Sequence, residues 1–71
     1  MAGNQAVFDA AMRRAQGYAF ENQWDRALKE YQRALAEFPN DVQARTNYAQ
    51  ALYRLQQFPQ ALEEYRKAPN R

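Results

Sequence analysis

The stretch Ala27–Asp41, ALKEYQRALAEFPND, returns in altered form between Ala61 and the last residue as ALEEYRKAPNR. In the first copy Ala27, Leu28, Tyr31, Ala34, Leu35 and Phe38 recur at three, four and seven residues, which places them on one face of a helix. Arg26, Lys29, Glu30, Gln32, Arg33 and Glu37 mostly take the opposite face. The phrase is therefore an amphipathic helix, and a chain that writes it twice is built from a repeated unit.

Sliding the 71-residue sequence against itself by 34 positions fixes that unit. Nine of thirty residue pairs are then identical: Ala10/Ala44, Ala15/Ala49, Gln16/Gln50, Gln23/Gln57, Ala27/Ala61, Leu28/Leu62, Glu30/Glu64, Tyr31/Tyr65 and Ala34/Ala68. Trp24/Phe58, Tyr18/Leu52 and Arg33/Lys67 add conservative matches in the same register. Upstream of the opening helix, Val7, Phe8, Ala11, Ala15, Tyr18 and Ala19 form a second apolar stripe. Gly17 interrupts it at a cost of about 1 kcal/mol relative to Ala.

Asn22 and Gln23 separate the two stripes, and Asn tolerates the left-handed conformation that commonly ends a helix. Pro39-Asn40-Asp41 stops one helix and offers a cap to the next, while Pro59 suits a first helical turn, where its missing N–H does no harm. The spacing predicts an all-α fold of four helices, at 6–21, 24–37, 42–55 and 59–68, with consecutive helices antiparallel across short connections. One domain spans 1–71: a flexible N-terminus at 1–5, a first unit at 6–40, and a second at 41–71 whose last helix is cut short by Pro69 directly after Ala68.

Composition narrows the function. A chain this short buries only about 60% of its unfolded surface, so its core is small. Cysteine and histidine are absent, which removes disulfides, thiolate or imidazole metal ligands, nucleophilic thiols and the usual general base. Ten Lys and Arg against eight Asp and Glu leave +2, too little to mark a nucleic-acid or anionic-membrane surface. No apolar run approaches the roughly 20 residues of a membrane span, and no positive segment leads into an apolar one at the N-terminus. The chain reads as soluble, with a cytoplasmic location expected. No glycine-rich phosphate loop and no nucleophile–base constellation is present, so the reading is of a protein that is not an enzyme and needs no cofactor or metal. Charges such as Glu30, Arg33, Glu37, Glu63, Glu64 and Lys67 alternate in sign and read as outward, helix-supporting residues.

A 34-residue helical-hairpin period with small residues and aromatics at fixed places resembles the tetratricopeptide repeat, over nearly the whole chain. The family pattern is W-x2-L-G-x2-Y, then A-x3-F, then P. In the first unit Ala15 takes the place of the Gly, Tyr18 of the Tyr, Ala27 of the Ala, Tyr31 of the Phe and Pro39 of the Pro. In the second, Ala49, Leu52, Ala61 and Tyr65 do so. Ala11 and Arg45 replace the Trp, and Arg14 and Tyr48 replace the Leu. Close helix crossings then need Ala15 against Ala27 and Ala49 against Ala61, while Tyr18, Trp24, Tyr31, Leu52, Phe58 and Tyr65 fill the remaining space, with Ala34 also in the core.

The resemblance implies two hairpins stacked as a short right-handed solenoid whose concave wall, lined by the first helix of each repeat, binds a peptide or protein segment. The corresponding residues are Asp9, Met12, Arg13, Gln16 and Phe20 in the first unit, with Thr46, Asn47, Gln50, Tyr53 and Arg54 in the second. Amides can bond a peptide backbone and Arg can meet a carboxylate. One branch of the family clamps the carboxylate of chaperone tails; Asn47 matches one of its Asn residues, but Met12 and Gln16 stand where a Lys and another Asn are required. RNA-reading hairpin repeats are the alternative, for which Arg13, Arg14, Arg45 and Arg54 are few. Stacked repeats normally number three or more and close with a polar helix. Two repeats without one leave Tyr48, Leu52, Leu55, Leu62 and Tyr65 toward solvent at the C-terminal edge. The expectation is therefore an excerpt of a longer array, or a homodimer formed by exchanging hairpins about Phe38–Asp41.

Overall fold

The computed structural model describes residues 3–67. Within them the chain forms α1 (Gln5–Phe20), α2 (Trp24–Glu37), α3 (Val42–Arg54) and α4 (Phe58–Lys67). All the starts, and the ends of α1, α2 and α3, lie within one residue of the spacing-based ones; the expected end of the fourth helix at 68 lies outside the described residues. Ala68 and Pro69, where the second copy of the phrase is shortened, lie outside the described residues.

Each helix start and stop has a local cause. The Asn4 side chain accepts from the Val7 amide at 3.1 Å and the Asp41 side chain from the Ala44 amide at 2.9 Å, satisfying donors that a first turn leaves unpaired. Pro59 falls in the first turn of α4. Both α1 and α3 end in the same way, with one left-handed residue: Asn22 at φ 61° and Gln56 at φ 63°. The Gln23 amide donates back to the Tyr18 carbonyl at 2.8 Å, and the Asn22 amide to Ala19 at 3.0 Å. In the second unit Gln57 donates to Leu52 at 2.9 Å and Gln56 to Tyr53 at 2.9 Å, so both turns are the paired six-to-one and five-to-two motif. The two turns stand 34 residues apart, like the sequence repeat itself.

Helices pack in chain order: α1 on α2, α2 on α3, α3 on α4. Between them sits a core made largely of alanine. Ala11, Ala15, Ala27, Ala34, Ala44, Ala49, Ala51 and Ala61 are all buried, which brings the helix backbones close together. Met12, Tyr31 and Leu52 are the large hydrophobic residues buried among the described residues, and Phe8, Tyr18, Trp24, Leu28, Leu35 and Tyr48 are half-exposed around them. Burial raises the Tyr31 hydroxyl above the ordinary tyrosine value of 10.0.

Several placements differ from the expectation. Met12 belongs to the core rather than to a binding face, because Cβ vectors three and four residues apart carry it to the same side as Ala11 and Ala15. Leu52 is buried, not at the open edge, because it points into the α3–α4 hairpin; Tyr48 is half-buried, its hydroxyl accepting from Gln32 Nε2 at 3.2 Å. Leu55 is half-buried as well. Phe58, expected as filling between helices, is exposed, since no further helix lies beyond α4 among the described residues. Pro39 is exposed, and it serves the junction through its carbonyl, which accepts from Arg45. Gly3, Asn4 and Gln5 are not a free tail: the Asn4 amide donates to Glu37 Oε1 at 2.9 Å. Gly3 lies so close to the end of α2 that a Cβ there would stand 2.0 Å from the Glu37 carbonyl oxygen.

Candidate protein-binding surface

Outward stripes on α1 and α3 occupy identical positions of their units. Asp9, Arg13, Gln16 and Phe20 are exposed on α1; Gln43, Gln50 and Arg54 are exposed and Asn47 half-exposed at the places 34 residues later. Phe20 is 91% exposed at the last position of α1, an apolar ring left in contact with water. Gln5 donates to Asp9 at 2.9 Å, and Gln43 lies 3.4 Å from Asn47, so these side chains are lightly tethered along their own helices. Thr46 is half-buried beside the stripe.

At the C-terminal end of α3 the side chains are drawn toward the neighbouring hairpins. The Arg54 guanidinium sits over the Trp24 ring, 5.3 Å from its centroid, a cation–π contact that joins the start of α2 to the end of α3. Tyr53 meets Phe58 edge-on at 5.2 Å. Phe58, assigned by the sequence to the core, instead forms one exposed aromatic pair with Tyr53, which is outward as expected. With Ala61, Leu62 and Tyr65 they line an open cleft of about 330 Å³.

Glu30 is buried, and Glu64 is nearly so, against the reading of both as solvated. Arg14 reaches Glu30 at 3.2 Å from α1, with Arg33 at 3.5 Å on the other oxygen. In the second hairpin Arg45 pairs with Glu64 and Lys67 stands 3.6 Å from its other oxygen. The two glutamates hold equal repeat positions, yet their arginines do not: Arg14 is the counterpart of Tyr48, and Arg45 of Ala11. Each hairpin is thus clamped across its two helices by an ion pair. No group of three or more Asp, Glu, His or Cys close enough to hold a metal ion exists among the described residues, and none of their helices is long and apolar enough to cross a membrane.

A family model described as tetratricopeptide repeat matches residues 21–71, from the first turn to the chain end. The chain belongs to the tetratricopeptide repeat family. No curated protein and no solved structure gives a match. Members of this family generally act as protein–protein interaction modules. The family also gives meaning to the ion pairs: Arg14 stands where the repeat pattern has Leu, Arg45 where it has Trp, and each is matched by a buried glutamate. Of the four departures from the pattern, the two arginines are each met by a glutamate on the facing helix.

Proposed function

We propose that this tetratricopeptide repeat chain is a non-enzymatic binding module that takes an extended peptide or partner segment along the outward stripes of α1 and α3. The observation carrying the reading is that the same outward positions of the two units hold polar or apolar side chains open to a partner: Arg13, Gln16 and Phe20 on α1 and, 34 residues later, Asn47, Gln50 and Arg54 on α3, with Gln16 and Gln50 identical. Side-chain amides at that spacing suit a peptide backbone, Arg13 and Arg54 suit a carboxylate, and Phe20 suits an apolar side chain. The RNA alternative draws less support, because Arg14 and Arg45 are committed to Glu30 and Glu64 and only Arg13 and Arg54 remain on that side.

The test is selection of a random peptide library on the intact chain, followed by the paired change Asn47→Ala and Arg54→Ala. Selected peptides should lose about tenfold or more in affinity, as expected when charge-assisted and amide hydrogen bonds are removed. Unchanged affinity would move the site elsewhere. Binding of single-stranded RNA that weakens steeply with salt would favour the alternative.

A further inference from the structure

Glu30 and Glu64 hold the same repeat position and each gathers two cations, yet the surfaces around them carry different charge. In the first hairpin Arg14 reaches Glu30 from α1 at 3.2 Å, and Arg33 reaches its other oxygen from α2 at 3.5 Å. Arg26 and Lys29 stand on the same side of α2 as Arg33, since residues three, four and seven apart share a helix face. The Arg26 guanidinium lies over the Tyr18 ring of α1, 6.0 Å from its centroid, so Arg14, Tyr18, Arg26 and Arg33 mark one seam between α1 and α2. At the places of Arg26 and Lys29 the second hairpin has Gln60 and Glu63, and its Arg45 is taken up by Glu64 and the Pro39 carbonyl.

Arg14, Arg26, Lys29 and Arg33 around one carboxylate leave +3 on this seam, against +2 for the whole chain, so all other residues together are net −1. The four cations are exposed, and the ion pairs among the described residues use neither Arg26 nor Lys29. Three guanidiniums are held in place, two by Glu30 and one by Tyr18, which lowers the ordering cost of meeting an anion. The patch is also short. Arg26 and Arg33 stand about 10 Å apart along the helix, with Asp25 before them and Glu37 after. A long polyanion such as a nucleic acid, or an anionic membrane surface, would run past these limits onto like charge. A segment of about three or four extended residues fits within them.

We infer that this seam of the first hairpin binds a short acidic segment of a partner protein, about three or four residues rich in Asp or Glu. Arg14 spends its Nε and Arg33 its Nη1 on Glu30, and their remaining N–H groups donate to one carboxylate of the segment. Arg26 and Lys29 meet the next carboxylate along α2. Glu30 is the positioning residue: its charge is offset by the two arginines that it gathers, and it fixes where they point. The seam uses none of the residues of the α1 and α3 stripes, so the inference does not depend on the reading of those stripes.

The probe is a fluorescein-labelled peptide with four consecutive glutamates between Gly-Ser arms, titrated with the intact chain and read by fluorescence anisotropy. Binding should saturate at about 20 mM salt and fade by about 200 mM, where the screening length falls below about 8 Å. Arg26→Gln with Lys29→Gln should weaken it about fivefold to tenfold, the loss of two exposed ion pairs, with circular dichroism confirming the fold. Arg13→Gln with Arg54→Gln removes the same charge from the stripes and should leave the affinity within about twofold. Equal losses for the two pairs overturn the inference, because the peptide then answers only to net charge. No saturable binding up to millimolar chain overturns it too. So does a short oligouridylate that displaces the peptide at a lower concentration than the unlabelled peptide does, because the occupant is then a nucleic acid.

Discussion

Tyr31 and Tyr65 hold the same position of their repeat, yet Tyr31 is 3% exposed and Tyr65 43%. Leu28 and Leu62 differ in the same direction, half-buried against exposed. Residue type is equal, so the difference comes only from what lies beyond: α3 covers α2, and no described helix covers α4. In a repeat fold the stabilisation from a side chain is set by its neighbouring unit as much as by its own. The comparison can be broken most directly at the two tyrosines. Tyr31→Ala should cost about 3–5 kcal/mol, the range for removing a buried aromatic ring, and Tyr65→Ala less than about 1 kcal/mol. Urea unfolding followed by circular dichroism would measure both. Equal losses would mean that Tyr65 is covered in solution.

The same contrast has a pH signature. Because burial raises the Tyr31 hydroxyl above 10.0, the folded chain holds that proton more tightly than the unfolded one. Its contribution to stability is full below pH 10 and is lost as the pH climbs through the raised value. Tyr31→Phe should flatten the alkaline loss of stability above about pH 10, as read from urea midpoints across that range.

The ion pairs sharpen the comparison between hairpins. Arg45 and Glu64 are 17% and 14% exposed, whereas Arg14 is 48% exposed over a Glu30 that Arg33 also reaches. Both changes leave a largely buried carboxylate with one other cation, but Arg45 is itself the more buried arginine, so Arg45→Ala should cost about 2 kcal/mol. Arg14→Ala, which removes a half-exposed guanidinium, should cost about 1 kcal/mol. Thermal unfolding of the two variants side by side decides it; a larger loss for Arg14→Ala would reverse the assignment of which clamp is the buried one.

What the sequence made legible follows from local rules. The four helix starts and the ends of α1–α3 came out within one residue because apolar spacing, Asp41, Pro39 and Asn22 act over one turn. The buried alanines were read from the period and from the need for close crossings. Glu30 and Glu64 were not legible, because a glutamate on a helix reads as solvated until the arginine facing it is known, and Arg14 lies sixteen residues away from Glu30. Met12 was assigned to the wrong side because a stripe on a helical wheel gives a direction only to within about one residue's rotation, and Leu52, expected both as filling and at the edge, proved to be filling. Asn4 was missed as a cap, being read with the residues of a tail. Phe58 was misread because a repeat pattern names the same residue as filling whether or not a further unit follows.

The smallest effect expected is at the two turns, where the units are most alike. Asn22 and Gln56 share the left-handed conformation, at φ 61° and 63°, and the same pair of backbone hydrogen bonds. A non-glycine residue held there carries a strain of roughly 1 kcal/mol, less for Asn, whose short polar side chain tolerates that region. Glycine removes the strain but adds freedom to the unfolded chain, at about 0.4–1 kcal/mol. For Asn22→Gly the two contributions nearly cancel. For Gln56→Gly the relief is larger, and a gain of about 0.5 kcal/mol is expected, a shift of a few degrees in Tm for a chain of this length. A gain at Asn22 equal to that at Gln56 would mean that the Asn side chain contributes nothing to its turn, and that the two units share the turn's backbone geometry and its energy alike.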